Sequence, residues 1–325
     1  MKLVVLDGHA LNPGDLSWDA LRSMVEVVVH ERTPADEIVA RAQDAGILLT
    51  NKTPLRAATL AQLPNLKFIG VLATGFDVVD VAAAKSRGIP VSNVPTYGTD
   101  SVAQFAFALI LELCHRVQTH SDAVRAGEWT TNPDWSFWKT PLIELSGKTL
   151  GIAGFGRIGR RTAAIGNAMG MRILANDLVQ ANAPDYDGFR WANLDELFAE
   201  SDVISLHCPL TPDNEGMVNA ARLAKMKSSA FIVNTSRGKL IAMQDLAAAL
   251  NAGRIAGAAI DVLPVEPPPA GNPLFTAKNC ILTPHIAWAT HGARERLMHI
   301  VVENVRAFLA GTPINIVNNP NSHSI

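Results

Sequence analysis

The sequence predicts an α/β protein of two doubly wound parallel-sheet domains, the larger inserted into the smaller. Three observations carry this prediction. Short apolar runs alternate with longer Ala- and charge-bearing segments along most of the 325 residues, as strands joined by crossover helices do. Between 149 and 285 the runs are continuously apolar, which implies strands buried on both faces. A helical segment, "ARERLMHIVVENVRAFLAG" (293–311), follows the last run, and it packs most simply back on the first domain. The expected division is residues 1–98 with 289–325, and 99–288, with two crossings able to act as a hinge.

In chain order, the first domain opens on the β-rich runs "KLVVLD" (2–7), "VEVVVH" (25–30), "GILLT" (46–50) and "LKFIGV" (66–71). Near "YGTDSVAQ" (97–104), a glycine with Thr99 and Asp100 as capping candidates opens a helix, "VAQFAFALILELC" (102–114). That helix reads as buried. It contains Gln104 and Glu112 and is shorter than the ~20 residues a membrane span needs. Six strand-like runs follow: "TLGIAG" (149–154), "RILAND" (172–177), "DVISLHC" (202–208), "AFIVNTS" (230–236), "AGAAIDV" (256–262) and "CILTPH" (280–285).

Composition narrows the function classes. The chain is 48% hydrophobic and 18% charged with a formal charge of −2, so no basic excess points to nucleic acid or an acidic membrane surface. Cys114, Cys208 and Cys280 are scattered, odd in number and without metal-ligand spacing; they read as free thiols of a reducing, cytoplasmic compartment. No metal is expected. The opening "MKLVVLDGHALNPGD" has too short an apolar run for a signal-peptide core.

The most specific local pattern is "GIAGFGRIGRRTA" (151–163), where Gly154, Gly156 and Gly159 form G-x-G-x-x-G between a strand and a helical segment. The first glycine permits the tight turn, the second lets backbone approach a pyrophosphate, and the third allows close helix–strand packing. Arg157 and Ile158 lie inside the turn, with Arg157 placed beside the pyrophosphate. Asp177 ends the next run, where a carboxylate can accept hydrogen bonds from an adenosine ribose diol and repel the extra phosphate of NADP. The reading is a Rossmann domain for NAD(H), preferred over NADP(H).

Ligands of open α/β sheets bind outside the carboxyl ends of the strands. Arg237 in "NTSRGKL", Glu266 in the Pro-rich "LPVEPPPAGNP" (263–273) and His285 in "CILTPHIAW" all follow such ends. The set suits hydride transfer to a 2-oxo acid. Arg237 can pair with the substrate's carboxylate and carbonyl oxygens, His285 can donate a proton to the developing alkoxide, and Glu266 can hold the imidazole's tautomer and favour its protonated form. His207 in "HCPL" is the rival acid–base residue; with no acid following it to form a pair, it reads as part of the cofactor loop.

Together "GFGRIG", "HCPLTPDN" (207–214), "NTSRGKL" (234–240), "DVLPVEP" (261–267) and "TPHIAW" (283–288) resemble the D-isomer-specific 2-hydroxyacid dehydrogenases over nearly the whole chain. Within that family "TNKTPL" (50–55), "VLATGFDVVD" (71–80) and "TDSVAQFAFALILEL" (99–113) look most like the glycerate dehydrogenases, or hydroxypyruvate reductases. The resemblance implies a smaller flavodoxin-like substrate domain around the inserted cofactor domain. It implies Arg237 as the substrate-binding arginine, Glu266 and His285 as the acid–histidine pair, and the amides around Ala73, Thr74 and Gly75 as holders of the substrate carboxylate. Asp261 would meet the nicotinamide carboxamide, and Pro209 and Thr235 would line the cofactor. Asn51 and Lys52 are candidates for reading a substrate's C3 hydroxyl, with an exposed loop as the alternative. A homodimer through the cofactor domain is implied, with the Trp-rich "EWTTNPDWSFWKTP" (128–141) as part of the arm, or else as the cap of a core. The expected substrates are small 2-oxo and 2-hydroxy acids: hydroxypyruvate and glyoxylate first, D-lactate or phosphohydroxypyruvate as alternatives. A corepressor-like protein that binds the dinucleotide without turnover is the rival of another class; it should carry partner-binding segments, whereas the tail here is the short "NNPNSHSI" (318–325).

Overall fold

The computed structural model describes residues 1–319; the end of the 318–325 tail lies outside the described residues. The chain divides into two compact units, Met1–Gly98 with Ala289–Ile325, and Thr99–Trp288.

The first unit is a five-stranded parallel sheet of β1 (Lys2–Val5), β2 (Glu26–Val29), β3 (Ile47–Thr50), β4 (Phe68–Val71) and β5 (Val91–Ser92), ordered β2-β1-β3-β4-β5. The strand order reverses between β1 and β3, which creates a crevice at their carboxyl ends. The first four strands coincide with apolar runs read from the sequence. The fifth, two residues inside "GIPVSNV", is too short to carry a period. Val4, Leu48, Ile69 and Val91 contribute to the core on one face. The C-terminal helix His291–Leu309 starts at Thr290, whose side chain accepts from the Ala293 N–H. It belongs to this unit because its buried side is tied there. Phe308 stacks on Phe68 with centroids 4.5 Å apart. Arg294 forks onto both Asp15 oxygens at 2.7 and 2.6 Å, which holds the Asp15 carboxyl down at about 2.

The second unit is a seven-stranded parallel sheet. Its strands are β6 (Thr149–Ala153), β7 (Arg172–Asn176), β8 (Arg190–Trp191), β9 (Val203–Leu206), β10 (Phe231–Asn234), β11 (Gly257–Ile260) and β12 (Cys280–Leu282), ordered β12-β11-β10-β9-β6-β7-β8. Six match the apolar runs; β8 is a two-residue edge strand paired only with Leu174 and Ala175, again below the length at which a pattern shows. The central strands are mainly apolar because both faces are covered. Ile232, Ala258 and Ile260 face one core, and Phe231, Val233 and Ala259 the other, so successive side chains alternate between cores.

The helix Thr99–His115 buries Val102, Ala106, Phe107, Ile110 and Leu113 in this unit. Thr99 and Asp100 lie within the helix, and Asp100 pairs with Arg161 at 2.7 Å. Among the described residues no helix is long and apolar enough to cross a membrane. The 128–141 segment runs largely as turns and bends with Trp129, Trp135 and Trp138 exposed by 51, 87 and 66%, so among the described residues these rings cap no core.

Candidate active site

In the second sheet the strand order reverses between β6 and β9, and the glycine turn follows β6 at that point. Gly154 has φ +94°, and a side chain on it would collide with the backbone at Cys208; one on Gly159 would collide with the carbonyl of Gly154. Both positions therefore require glycine. The turn opens the helix Arg157–Ala168, which has no side-chain cap at Gly156 and no acid in its first turn. Open space surrounds the position a side chain on Gly156 would take. A helix N-terminus with free N–H groups, no competing carboxylate and room beside it fits a pyrophosphate. Arg157 is exposed at the first helical position and Ile158 is half-buried beside it.

Asp177 lies just past β7 and is half-buried. Its Oδ2 accepts from the Phe155 N–H at 2.6 Å and its Oδ1 from the Val179 N–H at 3.1 Å, so the carboxylate is held against the glycine turn. Past β10, the Thr235 hydroxyl is buried with no partner among the described residues. A buried orphan hydroxyl calls for a ligand atom to complete it, and the chain's residues fit a dinucleotide at this end of the sheet. Pro209 is exposed, and its carbonyl accepts from Asn214 at 2.8 Å. The His207 ring bonds Ser205 Oγ through Nε2 at 2.9 Å. Burial pushes this imidazole down to about 3, so it is neutral at ordinary pH and lacks the second ring proton that an imidazolium donates as an acid. Burial also pushes the neighbouring Cys208 thiol up to about 11.

Glu266 and His285 meet directly. Glu266 Oε2 lies 2.7 Å from His285 Nδ1, while Oε1 accepts from the Leu263 N–H at 2.9 Å. Both side chains are about one-third exposed. The carboxylate thereby fixes the ring's orientation and requires a proton on Nδ1, leaving Nε2 as the nitrogen without a protein partner among the described residues. His285 also has φ +56°, a left-handed conformation that costs a non-glycine residue about 1–3 kcal/mol and persists only where its surroundings impose it.

Asp261 imposes it. This carboxylate, expected beside the nicotinamide carboxamide, is bonded to the loop that follows β12. Asp261 is 1% exposed, and its oxygens accept from the Thr283 hydroxyl at 2.6 Å and from the N–H groups of Ile286 and Ala287 at 2.9 Å each. Its carbonyl accepts from the His285 N–H at 2.8 Å. Burial pushes the Asp261 carboxyl above its usual range, and the hydrogen bonds from Thr283, Ala287 and Ile286 pull against that shift. The residue closes the loop that presents His285.

Arg237 is exposed just past β10, with Nη1 donating to the Ser236 carbonyl at 2.9 Å. Asn234 shapes its turn, donating to the Arg237 carbonyl at 2.9 Å and accepting from the Ser236 N–H at 3.0 Å. Gly238 lies so close to the backbone of Leu263 and Pro264 that a side chain there would collide with it. This contact sets the Arg237 turn against the loop that carries Glu266.

In the first unit, Asn51 and Lys52 follow β3, and Ala73, Thr74 and Gly75 follow β4. Asn51 is buried rather than part of an exposed loop, and its Nδ2 donates to the Leu72 carbonyl at 2.9 Å. The Lys52 side chain is exposed. The Thr74 hydroxyl donates to the Val94 carbonyl at 2.7 Å, and Asn93 Nδ2 donates to the Thr74 carbonyl at 2.8 Å. With the loop so held, the N–H groups of Ala73, Thr74 and Gly75 have no protein acceptor among the described residues, as an anion-binding loop requires.

Comparison with known proteins follows the same lines. Residues 107–287 match the family model described as D-isomer specific 2-hydroxyacid dehydrogenase, NAD binding domain. The chain is 53% identical over 321 residues to a hydroxypyruvate reductase of Blautia hydrogenotrophica, covering 98% of this chain and 100% of that protein. The chain belongs to the D-isomer specific 2-hydroxyacid dehydrogenase family. A glycerate dehydrogenase of Methylorubrum extorquens is 43% identical over 284 residues, 87% of this chain and 88% of that protein. Among solved structures, the D-lactate dehydrogenase of Aquifex aeolicus complexed with NAD and lactic acid superposes with a TM-score of 0.83 at 31% identity, covering 99% of this chain and 100% of that one.

As a D-2-hydroxyacid dehydrogenase, the protein is an oxidoreductase whose second unit is a nicotinamide-dinucleotide domain. Sequence reasoning missed Asp7, whose carboxylate collects the N–H groups of Asn51, Lys52 and Thr53. An acid at the end of an apolar run was its visible signal, the same one that singled out Asp177.

Proposed function

We propose that this dehydrogenase reduces hydroxypyruvate to D-glycerate, and glyoxylate to glycolate, with NADH, and runs the reverse oxidations. The 2.7 Å Glu266–His285 pair, with Nε2 left open, carries the reading. When bound, the nicotinamide supplies the hydride in reduction and takes it in oxidation. Arg237 pairs with the substrate's carboxylate and C2 oxygens, fixing the pose and polarising the carbonyl. His285 gives its Nε2 proton to the C2 oxygen as that atom gains charge, and neutral His285 takes the proton back in oxidation. Glu266 stabilises the charged ring throughout. The amides of Ala73–Gly75 receive the carboxylate, and Asn51 and Lys52 supply polarity for the C3 hydroxyl.

The test is NADH oxidation with hydroxypyruvate, glyoxylate, pyruvate and phosphohydroxypyruvate, followed by chiral analysis of the product. Hydroxypyruvate is expected to outrun pyruvate, because a pocket built to bond a hydroxyl leaves buried polar groups unpaired without it. Pyruvate in the lead would overturn the substrate assignment, and an L-product the stereochemistry.

NADH is the proposed cofactor in preference to NADPH. Asp177, held at the glycine turn by Phe155 and Val179, attracts a ribose diol and repels a 2′-phosphate. Asp177→Ala should narrow the ratio of kcat/KM for NADH over NADPH; equal efficiencies in the wild type would contradict the role. The exposed Trp135 and Trp138 support a homodimer through the second unit, which light scattering on the wild type and the Trp135→Ser/Trp138→Ser variant would test. Three free cysteines fit a cytoplasmic protein.

A further inference from the structure

We infer that Asp7 is a positioning residue that sets the geometry of the loop Asn51–Thr53 and, through it, the preference for a 2-oxo acid with a polar group at C3. The inference rests on the reading of Asn51 and Lys52 as substrate-contacting. Asp7 lies two residues past β1, and Asn51 follows β3 directly. These two strands are neighbours, and the order of the first sheet reverses between them, the place where open α/β sheets take ligands. Here the chain fills that place with its own carboxylate.

Asp7 Oδ1 accepts from the Asn51 N–H at 2.7 Å, and Oδ2 accepts from the Lys52 and Thr53 N–H groups at 2.5 and 2.7 Å. Successive backbone N–H groups converging on one anion form a nest, and bonds to a charged acceptor are the short, strong ones. The Thr50 hydroxyl closes the turn by donating to the Thr53 carbonyl at 2.8 Å.

Two consequences follow from this occupancy. The nest is already taken, so it has no amides left for a substrate's carboxylate, and the loop meets ligand through its side chains. The buried Asn51 side chain passes the geometry onward through its bond to the Leu72 carbonyl, the residue before the open amides of Ala73–Gly75. Lys52 is held at its backbone while its side chain is exposed. A loop pinned in this way loses little freedom when Lys52 meets a hydroxyl or an anionic group.

Asp7→Asn is the primary variant, because its amide oxygen keeps one acceptor while its NH2 opposes an N–H; Asp7→Ala removes both acceptors. The expected result in each is faster hydrogen exchange at the Asn51, Lys52 and Thr53 amides. Alongside it, KM for hydroxypyruvate should rise by roughly tenfold and the hydroxypyruvate-over-pyruvate preference should fall by a similar factor, as for one or two lost hydrogen bonds. KM for NADH should be unchanged. Three results would overturn the inference: unchanged exchange, faster exchange with selectivity intact, or a loss spread equally over KM for NADH, which would mark Asp7 as a fold residue. The Asn51→Ala/Lys52→Ala variant separates the two layers. Unchanged selectivity there removes the reading of the loop itself, whereas reduced selectivity there with intact selectivity in Asp7→Asn removes only the role of Asp7.

Discussion

His285→Ala is expected to bind NADH as the wild type does and to lose turnover by on the order of 10²–10⁴-fold, the contribution of a positioned general acid. The geometry isolates this effect. Nδ1 is committed to Glu266 at 2.7 Å, so only Nε2 exchanges a proton with substrate. The other imidazole near a strand end of the second unit, His207, is pushed down to about 3 by burial and cannot substitute. Near-normal turnover in the variant would defeat the assignment. The same proton predicts the pH profile of the wild type. Reduction consumes the protonated ring and should fall at alkaline pH, whereas oxidation needs the neutral ring and should rise. Glu266→Gln keeps an acceptor facing Nδ1 but loses the negative charge beside the ring, so turnover in reduction should fall while NADH affinity holds. Unchanged turnover would remove Glu266 from its role.

Asp261→Asn is expected to lower kcat by on the order of 10²-fold while leaving NADH affinity intact, since a displacement of about 1 Å at a catalytic group is enough for such a loss. Asp261 accepts from Thr283, Ile286 and Ala287 with two charged oxygens. Asparagine offers one oxygen and turns an NH2 toward a donor. The loop would then lose the bonds that hold His285 at φ +56°, a conformation with no intrinsic preference to maintain it. Fluorescence titration of NADH separates this clamp from a cofactor contact. Weakened NADH binding with normal kcat at saturating cofactor would assign Asp261 to the nicotinamide instead of the clamp.

The strands of both sheets were legible wherever they ran for three residues or more, because full or partial burial leaves a run of apolar residues. The two-residue strands Val91–Ser92 and Arg190–Trp191 were not, since neither is long enough to show a period and both sit at the edge of a sheet. The glycine turn was legible for a related reason. A backbone that must pass within collision distance of Cys208 or of its own Gly154 carbonyl leaves glycine at fixed offsets in the chain.

What the sequence determined by itself is thus the set of local constraints: strand and helix, the turn that needs glycine, and the polar side chains that follow strand ends. What only the tertiary structure decided is which partners those side chains take. Asp7, Asp177 and Asp261 look alike in the sequence, each an acid at or just past the end of an apolar run. In the structure Asp7 gathers amides 44 to 46 residues away, Asp177 an amide 22 residues away, and Asp261 donors 22 to 26 residues away. Local pattern records the environment a residue needs, such as burial, a turn or a cap. The partner of a carboxylate depends on which distant segments the folded sheet brings to the same strand end, and no short-range period encodes that convergence.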